Sequence, residues 1–173
     1  MHLSHKLFLL AFTILLSAYF NDVQAQKSSG KSKKSNLTEE QQRNLEKSFI
    51  DACSARQLGD MEEAVQLFRK CLSIDKKNHA TMFELAKIYR EQKNIAEAGE
   101  MIEEAVALNP NNKYYNLFYA DLLGLVGRFD EAAAVYSRLS EQEPDNMEYQ
   151  FQQAALYEIC LLYTSDAADE WLR

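Results

Sequence analysis

The chain has 173 residues, 47% hydrophobic and 26% charged, with only 5 Gly, 2 Pro and 3 Cys. So few turn formers exclude a sandwich or barrel of short strands, three cysteines exclude a disulfide-dense scaffold, and ample Leu, Ala and Phe exclude wholesale disorder. A formal net charge of −7 disfavours bulk binding to nucleic acid.

In chain order, residues 7–20 read LFLLAFTILLSAYF, fourteen positions without a charge, preceded by His2, His5 and Lys6. Val23 and Ala25 supply the small residues a signal peptidase accepts, so residues 1–25 are expected to form a cleaved signal peptide. As a helix this run spans about 21 Å, short of the ~30 Å hydrocarbon core. A mature form without this span, periplasmic or secreted, is the expectation. Residues 26–36, opening QKSSGKSKKS, carry four lysines and no large apolar side chain. They can bury nothing, and read as a flexible basic linker.

From residue 37 to 159 the sequence is periodic. GDMEEAVQLF at Gly59, KNIAEAGEMI at Lys93 and GRFDEAAAVY at Gly127 are spaced by 34 residues. Glu63, Glu97 and Glu131 fall into one column, and Ala64, Ala98 and Ala132 into the next. Further columns hold Phe68, Ile102 and Tyr136; Cys71, Ala105 and Leu139; Asn78, Asn112 and Asn146; and Ala52, Ala86, Ala120 and Ala154. Units of 45–78, 79–112 and 113–146 follow, with a partial fourth over 147–159. Met82, Leu85, Ala86 and Tyr89 lie at helical spacing. Gly59 and Gly127 stand where each hairpin should turn, and Pro110 and Pro144 follow the second helices. Thr38-x-x-Gln41 reads as a capping box opening a long first helix.

These columns resemble the tetratricopeptide repeat family, whose first helix carries bulky, Leu, small and Tyr positions and whose second carries Ala, an aromatic and a terminal Pro. The second unit matches it best, with Met82, Leu85, Ala86 and Tyr89, then Ala98, Ile102, Ala105 and Pro110; the first diverges at Ser48, Asp51 and Ala55. The resemblance implies an all-α fold, an α-solenoid of antiparallel helix pairs with three and a half repeats. A single hairpin cannot bury its apolar faces, so stacking supplies the core. The run CLLYTSDAADE over 160–170 resembles translated sequencing-adapter sequence, and residues 160–173 are read as a non-native tail.

Catalytic chemistry is thin. Past the signal, His79 is the only histidine; at the start of a repeat it is expected to be a surface or capping residue, with no second His for a metal pair. No phosphate-cradling loop or nucleophile elbow is present, so no enzyme activity, cofactor or metal is expected. Glu63, Glu97 and Glu131 suit helix N-termini. Export makes a Cys53–Cys71 disulfide open to formation, while the column of Cys71 marks it as a small core residue.

The resemblance implies that first helices line a concave groove for protein or peptide partners. Matching positions are Phe49, Cys53 and Arg56; Phe83, Lys87 and Arg90; Leu117, Asp121 and Gly124; and Phe151, Ala155 and Glu158. Phe49, Phe83, Leu117 and Phe151 form an apolar ladder at the repeat spacing. The expectation is a non-enzymatic interaction scaffold or adaptor of the bacterial cell envelope. Alternatives are a component of an envelope glycan- or nutrient-uptake or assembly complex, or the recruiting module of a longer protein with a downstream domain.

Overall fold

A computed structural model describes residues 37–171, with side chains to residue 162. The expected signal (1–25) and the expected linker (26–36) lie outside the described residues, as do the last side chains of the tail. The described residues form seven helices and no strand: α1 Glu39–Leu58, α2 Met61–Ile74, α3 His79–Glu91, α4 Ile95–Leu108, α5 Lys113–Leu125, α6 Phe129–Gln142 and α7 Met147–Trp171.

Five of the seven helices, all but α4 and α6, begin where a side chain satisfies a free backbone donor. At α1 the capping box closes from both sides: Gln41 N–H donates to Thr38 Oγ1 at 3.2 Å, and Thr38 N–H donates to Gln41 Oε1 at 2.9 Å. Asp60 accepts from Glu63 N–H at α2. The Asn column caps the helix that follows each unit. Asn78 Oδ1 accepts from Thr81 N–H, Asn112 Oδ1 from Tyr114 and Tyr115 N–H, and Asn146 Oδ1 from Glu148 N–H.

Helices α1, α3 and α5 each end on the same kind of backbone hydrogen bond. Asp60 N–H reaches Ala55 O, Asn94 reaches Tyr89 O, and Arg128 reaches Leu123 O, at 2.9, 2.8 and 2.9 Å. This closure needs a left-handed residue between the helices. Gly59 (φ 86°) and Gly127 (φ 76°) supply it without strain, whereas Lys93 adopts φ 63° as the only non-glycine with positive φ among the described residues.

The three hairpins α1–α2, α3–α4 and α5–α6 pack in chain order, and α7 lies on α6. Within each hairpin, two alanine columns meet the core. Ala52 and Ala64, Ala86 and Ala98, and Ala120 and Ala132 are all buried, which lets the backbones approach closely. Phe68, Leu85, Ile88, Ile102, Leu123 and Leu139 fill the space between. The fourth unit departs from this plan. Leu161 occupies the turn column of Gly59, Lys93 and Gly127, yet α7 runs straight through it to Trp171. The residues expected to be a separate tail therefore begin inside a helix, and Ala154 is exposed where Ala52, Ala86 and Ala120 are covered.

The glycines separate by conformation. A Cβ added at Gly124 meets nothing within 4 Å, and its backbone is helical; Gly127 has the same space but a left-handed backbone. Gly127→Ala is expected to cost about 1 kcal/mol, while Gly124→Ala gains up to ~1 kcal/mol from helix propensity. Urea denaturation of both variants checks this; equal shifts would contradict the assigned turn.

Candidate functional site

The residues expected to line a groove sit on α1, α3, α5 and α7, and the structure joins some of them directly. Arg56 on α1 reaches across to α3, donating from Nη1 to Glu84 Oε2 at 2.8 Å and from Nη2 to Glu91 Oε1 at 2.6 Å. Lys87 shares Glu84, donating to Oε1 at 2.6 Å. One unit later Arg90 on α3 reaches α5, where it pairs with Asp121 and lies 4.6 Å from the Phe118 ring centroid. Lys87 Nζ lies 4.7 Å from the Phe83 ring centroid. Arg56, Lys87 and Arg90 are thus held by acids and aromatic faces of their own and the next first helix.

The apolar ladder is uneven. Phe49 is half-buried, edge-on to Phe68 at 5.6 Å, and Phe83 is half-buried between Tyr115 at 4.7 Å and Phe118 at 5.6 Å. Leu117 packs into the second core cluster with Tyr119, Tyr136 and Leu156. Phe151 alone of the four is freely open, 65% exposed. Phe49 and Phe83 therefore spend much of their surface on inter-helix packing, and the accessible apolar side chains on the first helices include Phe151 and, on α5, Leu125 (61% exposed).

His79 is not the exposed turn residue expected from its position. It is the first residue of α3, half-buried, with Nδ1 2.9 Å from Tyr115 Oη, because Asn78 takes the capping role and turns the imidazole onto the next unit. Cys53 and Cys71 are both free thiols. Burial pushes each thiol above its ordinary value, with Glu84 adding to the effect at Cys53, the opposite of what an activated nucleophile requires. Among the described residues no group of three or more His, Cys, Asp or Glu could hold a metal ion, and no helix is long and apolar enough to cross a membrane.

Two surface ion pairs carry perturbed acids. Lys113 donates to Glu143 at 2.9 Å and holds that carboxyl below its ordinary range; Asn146 and Tyr149 also donate to it. Arg128 forks onto Glu131 with two 2.6 Å bonds and depresses it likewise.

A second concavity went unread in the sequence. A cavity of about 340 Å³ opens between α4 and α5, lined by Ile95, Gly99, Glu103, Tyr119, Leu122 and Val126, among others. Its signal is Gly99 in the column of Val65 and Ala133: a missing side chain leaves the space, and a Cβ there meets nothing within 4 Å.

A family model described as tetratricopeptide repeat matches residues 55–122 and again 90–156. No curated protein matches the sequence. Among solved structures, the chain is similar to the first TPR of Spaghetti (RPAP3) bound to the HSP90 peptide SRMEEVD, at 21% identity and TM-score 0.59, covering 69% of this chain and 97% of that one. The second TPR domain of human RPAP3, in complex with an HSP70 peptide, is similar at 14% identity and TM-score 0.58, covering 68% and 98%. An O-GlcNAc transferase mutant of Thermobaculum terrenum is similar at 19% identity and TM-score 0.58, covering 69% of this chain but 23% of that one. At such identities the likeness is one of fold.

The partly buried Arg56–Glu84 pair is expected to couple by about 1 kcal/mol in a double-mutant cycle of Arg56→Ala and Glu84→Gln, read by urea denaturation; additive effects would show the pair to be ornamental. For the depressed Glu143 the sign is that of a carboxylate stabilised by folding: its contribution is complete above the unfolded carboxylate value and lost as pH falls through the folded one. NMR titration of Lys113→Met should return Glu143 toward its ordinary range.

Proposed function

This chain belongs to the tetratricopeptide repeat family, and we propose that it is a protein-interaction module of the bacterial cell envelope that receives peptide segments along the groove of its first helices. The observation carrying this reading is the division of labour between the two helices of each hairpin. The alanine columns and the large apolar side chains are consumed in the core, whereas Arg56, Lys87, Arg90 and Asp121 on first helices keep solvent contact and Phe151 stands open. A face built of side chains the core does not need is free to be specialised for a partner.

Two of the structurally similar domains are described with HSP90 or HSP70 peptides, which supports a peptide as the class of ligand. Extended or helical segments fit such a groove by laying alternate or i/i+4 anchors along it. The uncharged run at residues 7–20 followed by Val23 and Ala25 supports export, with the lysine-rich stretch after Ala25 as a spacer between the cleavage site and the array. The thiols of Cys53 and Cys71, raised by burial, and His79, the single histidine among the described residues and half-buried, argue for binding over turnover.

Two measurements test the reading. N-terminal sequencing of the protein recovered from bacteria is expected to start at Gln26. Benzoylphenylalanine placed at Leu125 is expected to crosslink partner peptides, whereas the same probe at Glu103, beside the α4–α5 cavity, is not. Adducts formed mainly from Glu103 would move the binding site to that cavity and overturn the groove assignment.

A further inference from the structure

The junction of α2 with α3 and that of α4 with α5 are built on the same columns, so each is a control for the other. At the first, Val65 packs against the core cluster and Arg69 donates from Nη2 to Tyr89 Oη at 3.0 Å. At the second, the residues in those columns are Gly99, Glu103 and Leu123. The aliphatic side chain is gone, an acid replaces the cation, and leucine replaces the hydroxyl that received it. The cavity of about 340 Å³ lies in this space. Gly99 is inside α4, and a Cβ there meets nothing within 4 Å. Neither a left-handed backbone nor crowding therefore calls for glycine, and its presence weakens the helix. Gln66 of the first junction likewise becomes Glu100. Glu100 and Glu103 both line the cavity, are exposed, and pair with no cation among the described residues. Arg128, the one base lining the cavity among the described residues, is engaged by Glu131 through two 2.6 Å bonds. Tyr119 is half-buried in the column where Leu85 is fully buried. Burial, with Glu103 adding to it, pushes its hydroxyl above the ordinary value, and that hydroxyl makes no hydrogen bond among the described residues.

We propose that the α4–α5 cavity is a binding site for a small organic cation, a compact aromatic or branched aliphatic body carrying a protonated amine. Such a ligand supplies what the first junction holds and the second lacks: an apolar body beside Gly99 and a positive charge at the rim. The body takes the apolar space among Ile95, Gly99, Leu122 and Val126. The ammonium faces Glu100 and Glu103 in water, with the Tyr119 hydroxyl free to accept a hydrogen bond. Two unpaired carboxylates repel an anion of the same shape, and a neutral ligand leaves them unused, so charge sets the choice while the apolar body sets the fit. The volume stands at the low end of ligand cavities, roughly 300–1,000 Å³. At ~30 Å³ per water-sized group, it takes a ligand of about ten non-hydrogen atoms. That is a free small molecule and not a stretch of chain. The site draws on α4, a second helix, and on none of the ion pairs between first helices, so it goes beyond the groove reading without resting on it.

The test titrates 2-phenylethylamine, 2-phenylethanol and 3-phenylpropanoate into the purified, nitrogen-15-labelled protein and follows its amide NMR shifts. The amine is expected to saturate, to move the amides around Gly99, Glu103 and Tyr119, and to bind at least ten-fold more tightly than the alcohol, with the carboxylate weakest. Added salt is expected to weaken the amine and spare the alcohol. Gly99→Val restores the side chain of the first junction in open helical space; it is expected to keep the wild-type circular dichroism and to lose amine and alcohol binding alike. Glu100→Gln combined with Glu103→Gln leaves the cavity and is expected to bring the amine down to the affinity of the alcohol, which is itself unchanged. No saturable binding of the amine, equal binding of all three probes, or amine binding that survives Gly99→Val in a folded protein overturns the site. An acetylated and amidated Gly-Phe-Lys-Gly peptide that displaces the amine at lower concentration than free amine does would give the cavity to chain-borne side chains and overturn the small-molecule assignment. Failure of the amine to bind leaves the groove reading, tested by crosslinking at Leu125, where it stands.

Discussion

The structure depends on close approach of paired helices through alanine. Ala52 against the helix of Ala64, Ala86 against that of Ala98, and Ala120 against that of Ala132 leave backbones near enough for Phe68, Ile102 and Leu139 to bridge to the next hairpin. Larger residues in those columns would overpack a core that tolerates little extra volume. Each hairpin alone leaves its apolar faces wet, so neighbouring units are mutually necessary and stability is shared between them. The consequence is visible at the end of the array. Among the described residues no second helix packs on α7, and Ala154 and Tyr157 are exposed there, although Tyr149 is buried near Tyr136, 6.4 Å between ring centroids.

Much of this was legible in the sequence because its determinants recur at one spacing. The alanine columns, the capping box at Thr38 and the turn glycines at 59 and 127 are local signals with local physical causes, and the structure has them as expected. The Asn column was legible as a repeat landmark, but its work was not. Asn78, Asn112 and Asn146 do not merely close a unit; their side chains begin the next helix, a role that depends on the backbone angle at the junction. Lys93 shows the converse. Its neighbours make the same closing hydrogen bonds as those of Gly59 and Gly127, so the hairpin imposes a left-handed conformation on a residue that would not choose it.

The candidate site was less legible for a physical reason. A repeat alignment compares equivalent positions, whereas the ion pairs between first helices join unequal ones: Arg56 to Glu84 and Glu91, and Arg90 to Asp121. Those offsets straddle the repeat length, so no column of the alignment shows them. The aromatic ladder misled in the same way. Phe49 and Phe83 share a column with Phe151, but burial depends on what stands opposite. Phe68 covers the first, Tyr115 and Phe118 cover the second, and nothing comparable covers the third. His79 was misread because its fate is decided by Tyr115, in the following unit.

The same separation explains how a repeated fold can hold an unrepeated surface. The alanine columns are constrained by close helix approach and do not vary within the three hairpins: Ala52, Ala86 and Ala120 are one residue type three times over. The column of Arg56, Arg90, Gly124 and Glu158 passes through cation, cation, gap and anion without disturbing the alanines beside it. Its arginines contribute to the stack only through partly exposed contacts to the next first helix, so a change there costs about 1 kcal/mol or less. Burial of apolar side chains, at roughly 25 cal/mol per Å², outweighs that several-fold for each repeat. The fold is therefore nearly indifferent to the sign of this column. Position-by-position divergence along a column of first-helix residues, set against identity in the alanine columns, is what a shared core and an unconstrained surface produce.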